Sequence, residues 1–201
     1  MGEKNLDSYT ITDYLDIDNQ SEIKNEYENG LIKAMSGGTV NHGILGNNIN
    51  SEINNVLKTS SLKCTSINGD VRIFIEKANS FVYPDGMVVC GKIETHEKDN
   101  HSLVNPKLII EVLSKSTESY DRGDKFHKYC SLDSFHEYVL IDQYKPVVDK
   151  LSKSQKGLWE MFTIIGLDKS VYLSSIDTYV KMEDIYRNTV NLNAPQFRLD
   201  F

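Results

Sequence analysis

Lys107-Leu-Ile-Ile-Glu-Val-Leu-Ser114 is the stretch of sequence that decides the fold. A near-continuous apolar run of this length is typical of a β-strand that is covered on both faces of a sheet. Glu111 interrupts the run. Because burying an unpaired carboxylate costs several kcal/mol, Glu111 must be protonated, paired with a cation or bound to a metal. The stretch therefore predicts a central strand with one carboxylate that is either structural or functional.

The segments on either side of this strand predict helices before and after a series of strands. Apolar residues at helical spacing predict a long helix over 39–58, and shorter helices are expected over 8–18, 117–130 and 182–188. Strand-like segments separated by turn residues are 31–35, 63–66, 71–76, 81–90, 137–141, 147–151 and 159–165, and the polar segment 91–105 is expected to be a loop. This order indicates an α/β (α+β) fold with a mixed sheet flanked by helices.

Length and composition indicate one globular unit. The 201 residues suffice for a single domain over 1–201, and neither a linker nor an internal repeat is evident. No stretch of about 18 apolar residues or apolar signal segment is found, so we expect a cytoplasmic protein without membrane association. The net charge of −7 excludes a broadly basic nucleic-acid binder, although it leaves room for a local basic groove.

The cysteines are Cys64, Cys90 and Cys130, an odd number with wide spacing. Without a C-x-x-C pair, and with a reducing compartment expected, we interpret all three as buried free thiols.

Asp85 lies in Val82-Tyr-Pro-Asp-Gly-Met-Val-Val89 and supports two interpretations. Pro-Asp-Gly is a common β-turn sequence, which makes Asp85 a plain turn residue. Both flanks are strand-like, however, and a bulge at the proline would aim Asp85 at a neighbouring strand. Two carboxylates from adjacent strands, Asp85 and Glu111, together with a backbone carbonyl such as that of Val112, would suit Mg²⁺.

The segment Asp121-Arg-Gly-Asp-Lys125-Phe-His-Lys-Tyr129 places Asp121, Lys125 and Tyr129 on one face of the predicted helix. The simpler interpretation is a solvated helix face with an ion pair. The functional one is that Lys125 projects at the metal and stabilises negative charge that develops on a phosphoryl group. Gly123 is unfavourable in a helix, and the sequence does not explain it.

Four segments occur in a specific order: Tyr83-Pro-Asp85, Asn105 to Thr117, Asp121 to Tyr129, and Glu137 to Asp142. In this order they resemble the Uma-type putative restriction endonuclease family of the PD-(D/E)xK nuclease superfamily. The likeness covers nearly the whole chain. Each segment alone is weak, whereas the ordered series is specific. The resemblance implies a restriction-endonuclease-like mixed β-sheet flanked by helices.

The resemblance also implies roles for individual residues. Asp85 and Glu111 match the two metal-binding carboxylates. The lysine of the superfamily's E-x-K motif is replaced by Leu113 in this sequence. The family's pattern implies that Lys125 on the following helix takes its place, with Lys115 as a nearby competitor.

Further matching positions imply supporting roles. Glu26 matches an acidic residue that holds the metal or a metal-bound water. His42 matches a helix-borne histidine near the site, with a purely structural role as its alternative. Asp121, Arg122 and Tyr129 match residues that orient Lys125.

The function implied is that of a Mg²⁺-dependent endonuclease, with Mn²⁺ as a possible substitute, which hydrolyses phosphodiester bonds of DNA as a homodimer. Two alternatives stay open. The first is a non-catalytic binding or assembly module that keeps the nuclease fold. The second is a hydrolase of RNA or of a small phosphodiester, which would suit the acidic composition better. The sequence contains no P-loop, zinc finger, H-E-x-x-H or G-x-S-x-G motif that would support another chemistry.

Overall fold

Helix α1 (Ile11–Gln20) opens the part of the chain that the computed structural model describes, residues 8–195. Its start is fixed by a capping box. The Thr10 side chain accepts a hydrogen bond from the Asp13 N–H, and the Asp13 carboxylate accepts one from the Thr10 N–H. The helix therefore begins later than the predicted 8–18.

The remaining elements follow in chain order. The other helices are α2 (Val40–Thr59), α3 (Glu118–Arg122), α4 (Asp124–Tyr129) and α5 (Met182–Ile185). The strands are β1 (Asn25–Glu28), β2 (Leu31–Ala34), β3 (Cys64–Asn68), β4 (Arg72–Ile75), β5 (Ser80–Val82), β6 (Gly86–Cys90), β7 (Thr95–His96), β8 (Asp99–Leu103), β9 (Leu108–Leu113), β10 (Glu137–Asp142), β11 (Val147–Lys153), β12 (Trp159–Ile165), β13 (Ser170–Leu173) and β14 (Thr178–Lys181).

The strands of residues 8–195 form two six-stranded sheets and one hairpin, rather than one sheet. The first sheet has the order β2-β1-β5-β4-β8-β7, the second has the order β12-β11-β10-β9-β6-β3, and β13 pairs with β14. Both large sheets are mixed, because β4 and β8 are parallel in the first and β9 and β10 in the second. The predicted α/β (α+β) class is thus confirmed.

Strand β9 lies inside the second sheet, as its apolar run predicted, and all six of its residues are buried. Its alternate side chains enter two different cores. Ile110 packs under helix α2 with Ile49 and Ile53, each of which gains about 1.5–3 kcal/mol from burial. Ile109 faces the opposite core with Tyr129, on the side of helix α4. Because side chains alternate along a strand, Glu111 shares the α4 side.

The predicted strand over 81–90 is two strands in different sheets. Strand β5 pairs with β1 and β4, and strand β6 pairs with β3 and β9. Tyr83-Pro84-Asp85 is the crossing between the sheets. A close backbone approach supports it, since a Cβ on Gly69 would lie 2.7 Å from the Pro84 carbonyl oxygen.

The predicted loop over 91–105 contains the β7–β8 hairpin, so that expectation is wrong. Its polar residues form strands because Arg72 of β4 satisfies them: the guanidinium lies 2.8 Å from both the Asp99 carboxylate and the Ser102 hydroxyl oxygen. The predicted helix over 117–130 is also interrupted. It divides at Gly123 into α3 and α4.

The interpretation of all three cysteines as free thiols is wrong for two of them. Cys64 of β3 and Cys90 of β6 lie directly opposite each other in the antiparallel register and form a disulfide. Their separation of 26 residues gave no sign of this pairing. Cys130 is free and half-buried, and burial raises the pKa of its thiol to about 11.

None of the helices between residues 8 and 195 has the length and apolar character needed to cross a membrane.

Candidate active site

Asp85 is held against strand β9 by two backbone contacts. Its N–H donates to the Ile110 carbonyl at 3.0 Å, and the Val112 N–H donates to its carboxylate at 2.6 Å. These bonds extend the β6–β9 pairing to the residue that precedes the start of β6. They place the Asp85 carboxylate beside the strand that carries Glu111, as the sequence predicted.

Lys125 reaches the same place from helix α4. Its Nζ lies 2.8 Å from the Glu111 Oε1 and donates to the Tyr83 carbonyl at 3.1 Å. Both charged side chains are buried, with 4% exposure for Lys125 and 3% for Glu111. The lysine therefore faces the central carboxylate although it is remote from the E-x-K position in sequence.

Three further side chains complete the surroundings of this ion pair. The Tyr129 hydroxyl donates to the Glu111 Oε1 at 3.0 Å. Carboxylate oxygens of Asp121 and Glu26 each lie 3.7 Å from the Lys125 Nζ. Lys125 is thus surrounded by acidic groups, and Tyr129 orients Glu111 rather than the lysine itself.

The charge balance of this cluster follows from burial and from its neighbours. Burial raises the pKa of Glu111 well above its usual range, against the opposing effect of Lys125. Burial also raises the pKa of Asp121. For Lys125, burial favours the neutral amine, but the nearby carboxylates of Glu111, Glu26 and Asp121 outweigh it and raise the pKa, so the group stays an ammonium.

His42 stands on the first turn of helix α2, which Thr39 caps by accepting a hydrogen bond from the His42 N–H. The His42 Nε2 lies 3.3 Å from the Asp85 carboxylate, and this hydrogen bond raises the pKa of the imidazole. His42 therefore lies near the site, as expected.

A cavity of about 440 Å³ brings most of the predicted residues together. Its walls include Glu26, His42, Asp85, Glu111, Val112, Asp121 and Lys125. These residues come from the first sheet, the second sheet, α2, α3 and α4, so the cavity lies where the two sheets and three helices meet.

Two predicted residues lie elsewhere or have other partners. The Arg122 guanidinium binds Glu118 at 2.9 Å and Asp149 at 2.7 Å, so its ion-pair partners are these carboxylates, and its role in orienting Lys125 stays a prediction. The break at Gly123 separates it from α4. Lys115 is exposed at the rim of the cavity, with its Nζ 5.5 Å from the Tyr144 ring centroid, and does not replace Lys125 beside Glu111.

Tyr83 is a residue of the site that the sequence analysis did not single out. Its carbonyl accepts from Lys125, and its N–H donates to the Glu26 carboxylate at 3.1 Å. Its hydroxyl donates to the buried Asp18 at 2.7 Å, which also binds Arg72. Tyr83 therefore links the buried ion pair of Asp18 and Arg72 to the cavity. Its position beside Pro84-Asp85 was the one available signal.

The donor set of the cavity suits a hard cation with retained waters. Between residues 8 and 195 there is no group of three or more His, Cys, Asp or Glu side chains arranged to hold a metal. Asp85 and Glu111 offer two carboxylates. The Val112 N–H points at Asp85, and the carbonyl of a strand residue points to the same side as its N–H, so a third oxygen faces this edge. Mg²⁺ commonly takes one or two carboxylates and keeps several waters.

The fold is similar to that of a solved structure. The crystal structure of a putative nuclease belonging to DUF820 from Anabaena variabilis has a TM-score of 0.70 with this chain and is 19% identical, covering 89% of this chain and 97% of that one. This likeness shows that the chain has a nuclease-type fold.

Residues 11–176 match the Uma2 family, which is described as putative restriction endonuclease. The chain belongs to this family, and the family suggests a nucleic-acid substrate. Two uncharacterized proteins of Synechocystis sp. are similar over most of their length. One is 31% identical over 175 residues, which are 87% of this chain and 90% of the relative. The other is 28% identical over 165 residues, which are 82% and 92% of the two chains.

Proposed function

We propose that this protein is a metal-dependent endonuclease that hydrolyses phosphodiester bonds of DNA. The observation that carries the proposal is the meeting of Asp85, Glu111 and Lys125 in one cavity, with the Lys125 Nζ 2.8 Å from the Glu111 carboxylate. Two carboxylates and one buried ammonium are the groups that metal-assisted phosphodiester hydrolysis needs.

The carboxylates of Asp85 and Glu111 and the carbonyl of Val112 would hold the ion, with Mg²⁺ as the preferred metal and Mn²⁺ as a substitute. When bound, the ion would polarise a phosphoryl oxygen and lower the pKa of a bound water.

Lys125 offsets negative charge on the phosphoryl group. An ammonium has three donors, and its hydrogen bonds to Glu111 and to the Tyr83 carbonyl use two of them. The third is available to a substrate oxygen in the cavity. Because both fixed partners are buried or backbone groups, the charge is held in place before the substrate arrives, which is the condition for effective electrostatic stabilisation.

Glu26 and His42 position the attacking water. Both side chains line the cavity, with His42 3.3 Å from Asp85 and Glu26 3.7 Å from Lys125. His42 is tied to Asp85 by its Nε2, and Glu26 is tied to the Tyr83 N–H. Each is therefore oriented by the same crossing segment that carries Asp85, which keeps a water acceptor at a constant distance from the proposed metal ligands.

DNA is the proposed substrate, contacted by local positive charge rather than by the protein as a whole. The exposed Lys33 and Lys115 line the rim of the cavity and can meet phosphates. With a net charge of −7, the rest of the protein repels a polyanion, so binding depends on this rim.

A homodimer is part of the proposal. Strand β12 is the outer strand of the second sheet, and Met161 and Phe162 on it are exposed by 64% and 49%. An exposed apolar edge strand is a natural surface for pairing between two copies. Light scattering on the purified protein measures its mass. A monomer at micromolar concentration would refute the homodimer and leave the proposed endonuclease function untouched.

Cleavage assays test the function. Supercoiled DNA, single-stranded DNA and RNA are each incubated with Mg²⁺, Mn²⁺ or EDTA and with wild type, Glu111→Ala or Lys125→Ala. We expect metal-dependent cleavage of DNA by the wild type and its loss in both variants. Cleavage that survives both substitutions contradicts the assigned site. Absence of cleavage by a folded wild type supports the non-catalytic module. Cleavage of RNA alone shows that the substrate is RNA instead of DNA.

A further inference from the structure

A second, polar groove adjoins the cavity. It has a volume of about 740 Å³ and lies between helix α2 and the β3 strand with its following turn. His42 and Asp85 line both the groove and the cavity, so the two form one continuous depression. A substrate that reacts beside Asp85 and extends along helix α2 must therefore lie in the groove.

The wall from helix α2 consists of small and amide side chains on one face, at positions Gly43, Gly46, Asn47, Asn50 and Asn54. Glycine and asparagine are poor helix formers. Packing does not require the glycines, because a Cβ built on Gly43 or Gly46 would meet nothing within 4 Å. These glycines and asparagines therefore lower the stability of helix α2, and the packing of the glycines does not compensate for this.

The amides on this wall are free to bind. Among residues 8–195, the side chains of Asn47 and Asn54 are exposed and form no hydrogen bond. Asn50 is different, because its amide N–H groups donate to the Gly46 carbonyl at 2.8 Å and to the Asp85 carbonyl at 3.0 Å. Asn50 thus fixes the crossing segment, whereas Asn47 and Asn54 face the open groove.

The charge of the groove is almost neutral. Its lysine, Lys24, is paired with Asp70 at 2.8 Å and donates to the Gly69 carbonyl at 2.9 Å. The opposite wall adds the polar side chains of Ser66 and Asn68. A groove of this chemistry does not suit a dense phosphate cluster or an apolar ligand. It suits groups with both donors and acceptors, which are base edges and sugars.

We propose that this groove binds one strand of the DNA substrate beside the scissile phosphate and contacts its bases and sugars through neutral amide and hydroxyl groups. The inference rests on the proposed endonuclease function. It assigns Asn47 and Asn54 as substrate contacts, and Gly43 and Gly46 as positions where the strand approaches the helix backbone. These neutral contacts add to those of Lys33 and Lys115 at the rim of the cavity, which supply the positive charge for the phosphates.

Binding measurements without metal test the groove separately from catalysis. The probe is a fluorescein-labelled DNA oligonucleotide, single-stranded and as a duplex, and anisotropy is measured in EDTA with folding checked by circular dichroism. Gly46→Gln fills the groove and Asn54→Ala removes one contact. The matched control is Asn55→Ala, since Asn55 is exposed on the same helix but does not line the groove.

We expect Kd to rise about tenfold or more for Gly46→Gln and Asn54→Ala, the effect of losing one good base contact, and to stay unchanged for Asn55→Ala. Unchanged Kd in both groove variants, or no DNA binding by the wild type, overturns the proposal. The two proposals fail separately: a protein that binds through the groove without cleaving DNA refutes only the endonuclease. A protein that cleaves DNA with unaltered binding in the groove variants refutes only the groove.

Discussion

The Lys125 ammonium lies 2.8 Å from the Glu111 carboxylate, although Lys125 is on helix α4 and Glu111 is on the central strand β9. The strand itself has Leu113 at the position where the superfamily motif has its lysine. A buried cation from a neighbouring helix can occupy the same space as one from the strand. The proposed chemistry requires a positive charge at that point, and helix α4 supplies it in place of the strand.

Lys125→Met keeps much of the side-chain length and removes the charge. We expect the single-turnover cleavage rate to fall by about 10²–10³-fold, the usual effect of losing one preorganised donor. The control is Lys128→Met on the same helix, whose ammonium pairs with the half-exposed Glu28. Neither Lys128 nor Glu28 lines the cavity, so the rate should change far less than in Lys125→Met. A wild-type rate in Lys125→Met would remove the lysine from the mechanism.

Gly123→Ala tests the break between α3 and α4. A Cβ at Gly123 would lie 3.0 Å from the Ser119 carbonyl oxygen, which is backbone and cannot turn aside. We expect the free energy of unfolding to fall by about 1–2 kcal/mol and the cleavage rate to fall by about tenfold or more, because α4 shifts and carries Lys125 with it. Denaturant unfolding and single-turnover kinetics measure the two effects. Equal stability and rate would mean that the break does not position the lysine.

The buried pair of Arg72 and Asp99 predicts a pH dependence of stability. Burial raises the pKa of Asp99, but hydrogen bonds from Ser102 and Arg72 outweigh it and lower the pKa below the ordinary 3.8. Because the pKa of Asp99 is lower in the folded protein than in the unfolded chain, ionised Asp99 stabilises the fold at pH values above its pKa in the unfolded chain. This stabilisation is lost as the pH falls through the pKa of Asp99 in the folded protein.

Asp99→Asn should therefore lower the free energy of unfolding by about 2–3 kcal/mol at pH 7, and the difference from wild type should shrink below about pH 4. Denaturant unfolding at several pH values measures it. Glu183→Gln is the control, because the Lys181–Glu183 pair is more than half exposed on both sides and should contribute little. A difference that stays constant down to pH 3 would contradict the lowered pKa.

Thiol titration tests the disulfide between Cys64 and Cys90. The denatured protein should show one reactive thiol per chain without reductant and three after reduction. In the native protein, alkylation of Cys130 should be slow at pH 8 and accelerate towards pH 11, because the thiolate is the reactive form and burial raises the pKa of this thiol to about 11. Three thiols in protein purified without reductant would show that the bond does not form.

The central strand and the meeting of the main candidate residues could be predicted from the sequence because their signals are local. An apolar run with one carboxylate identifies β9 and Glu111 wherever the other strands lie. Asp121, Lys125 and Tyr129 were placed on one face by helical spacing, and they do meet around Glu111. The same pattern could not show the ion pairing of Arg122, because its partner Asp149 comes from a distant strand.

The features that escaped prediction depend on contacts remote in sequence. Both halves of 81–90 have strand composition, and only their partners reveal that Tyr83 to Asp85 crosses between sheets. The polar segment 91–105 has little strand character by itself. It pairs because the buried Arg72 on β4 binds Asp99 and Ser102, and a single sequence does not show that meeting.

The rate of DNA cleavage at increasing Mg²⁺ concentration tests the central claim most directly, measured for wild type and Asp85→Asn in EDTA-treated protein. We predict no cleavage without metal, a rate that rises and saturates with Mg²⁺ in the wild type, and a much higher Mg²⁺ requirement or no activity in Asp85→Asn. An equal rate in EDTA and in Mg²⁺, or identical Mg²⁺ curves for the two proteins, would contradict a metal held at Asp85 and Glu111.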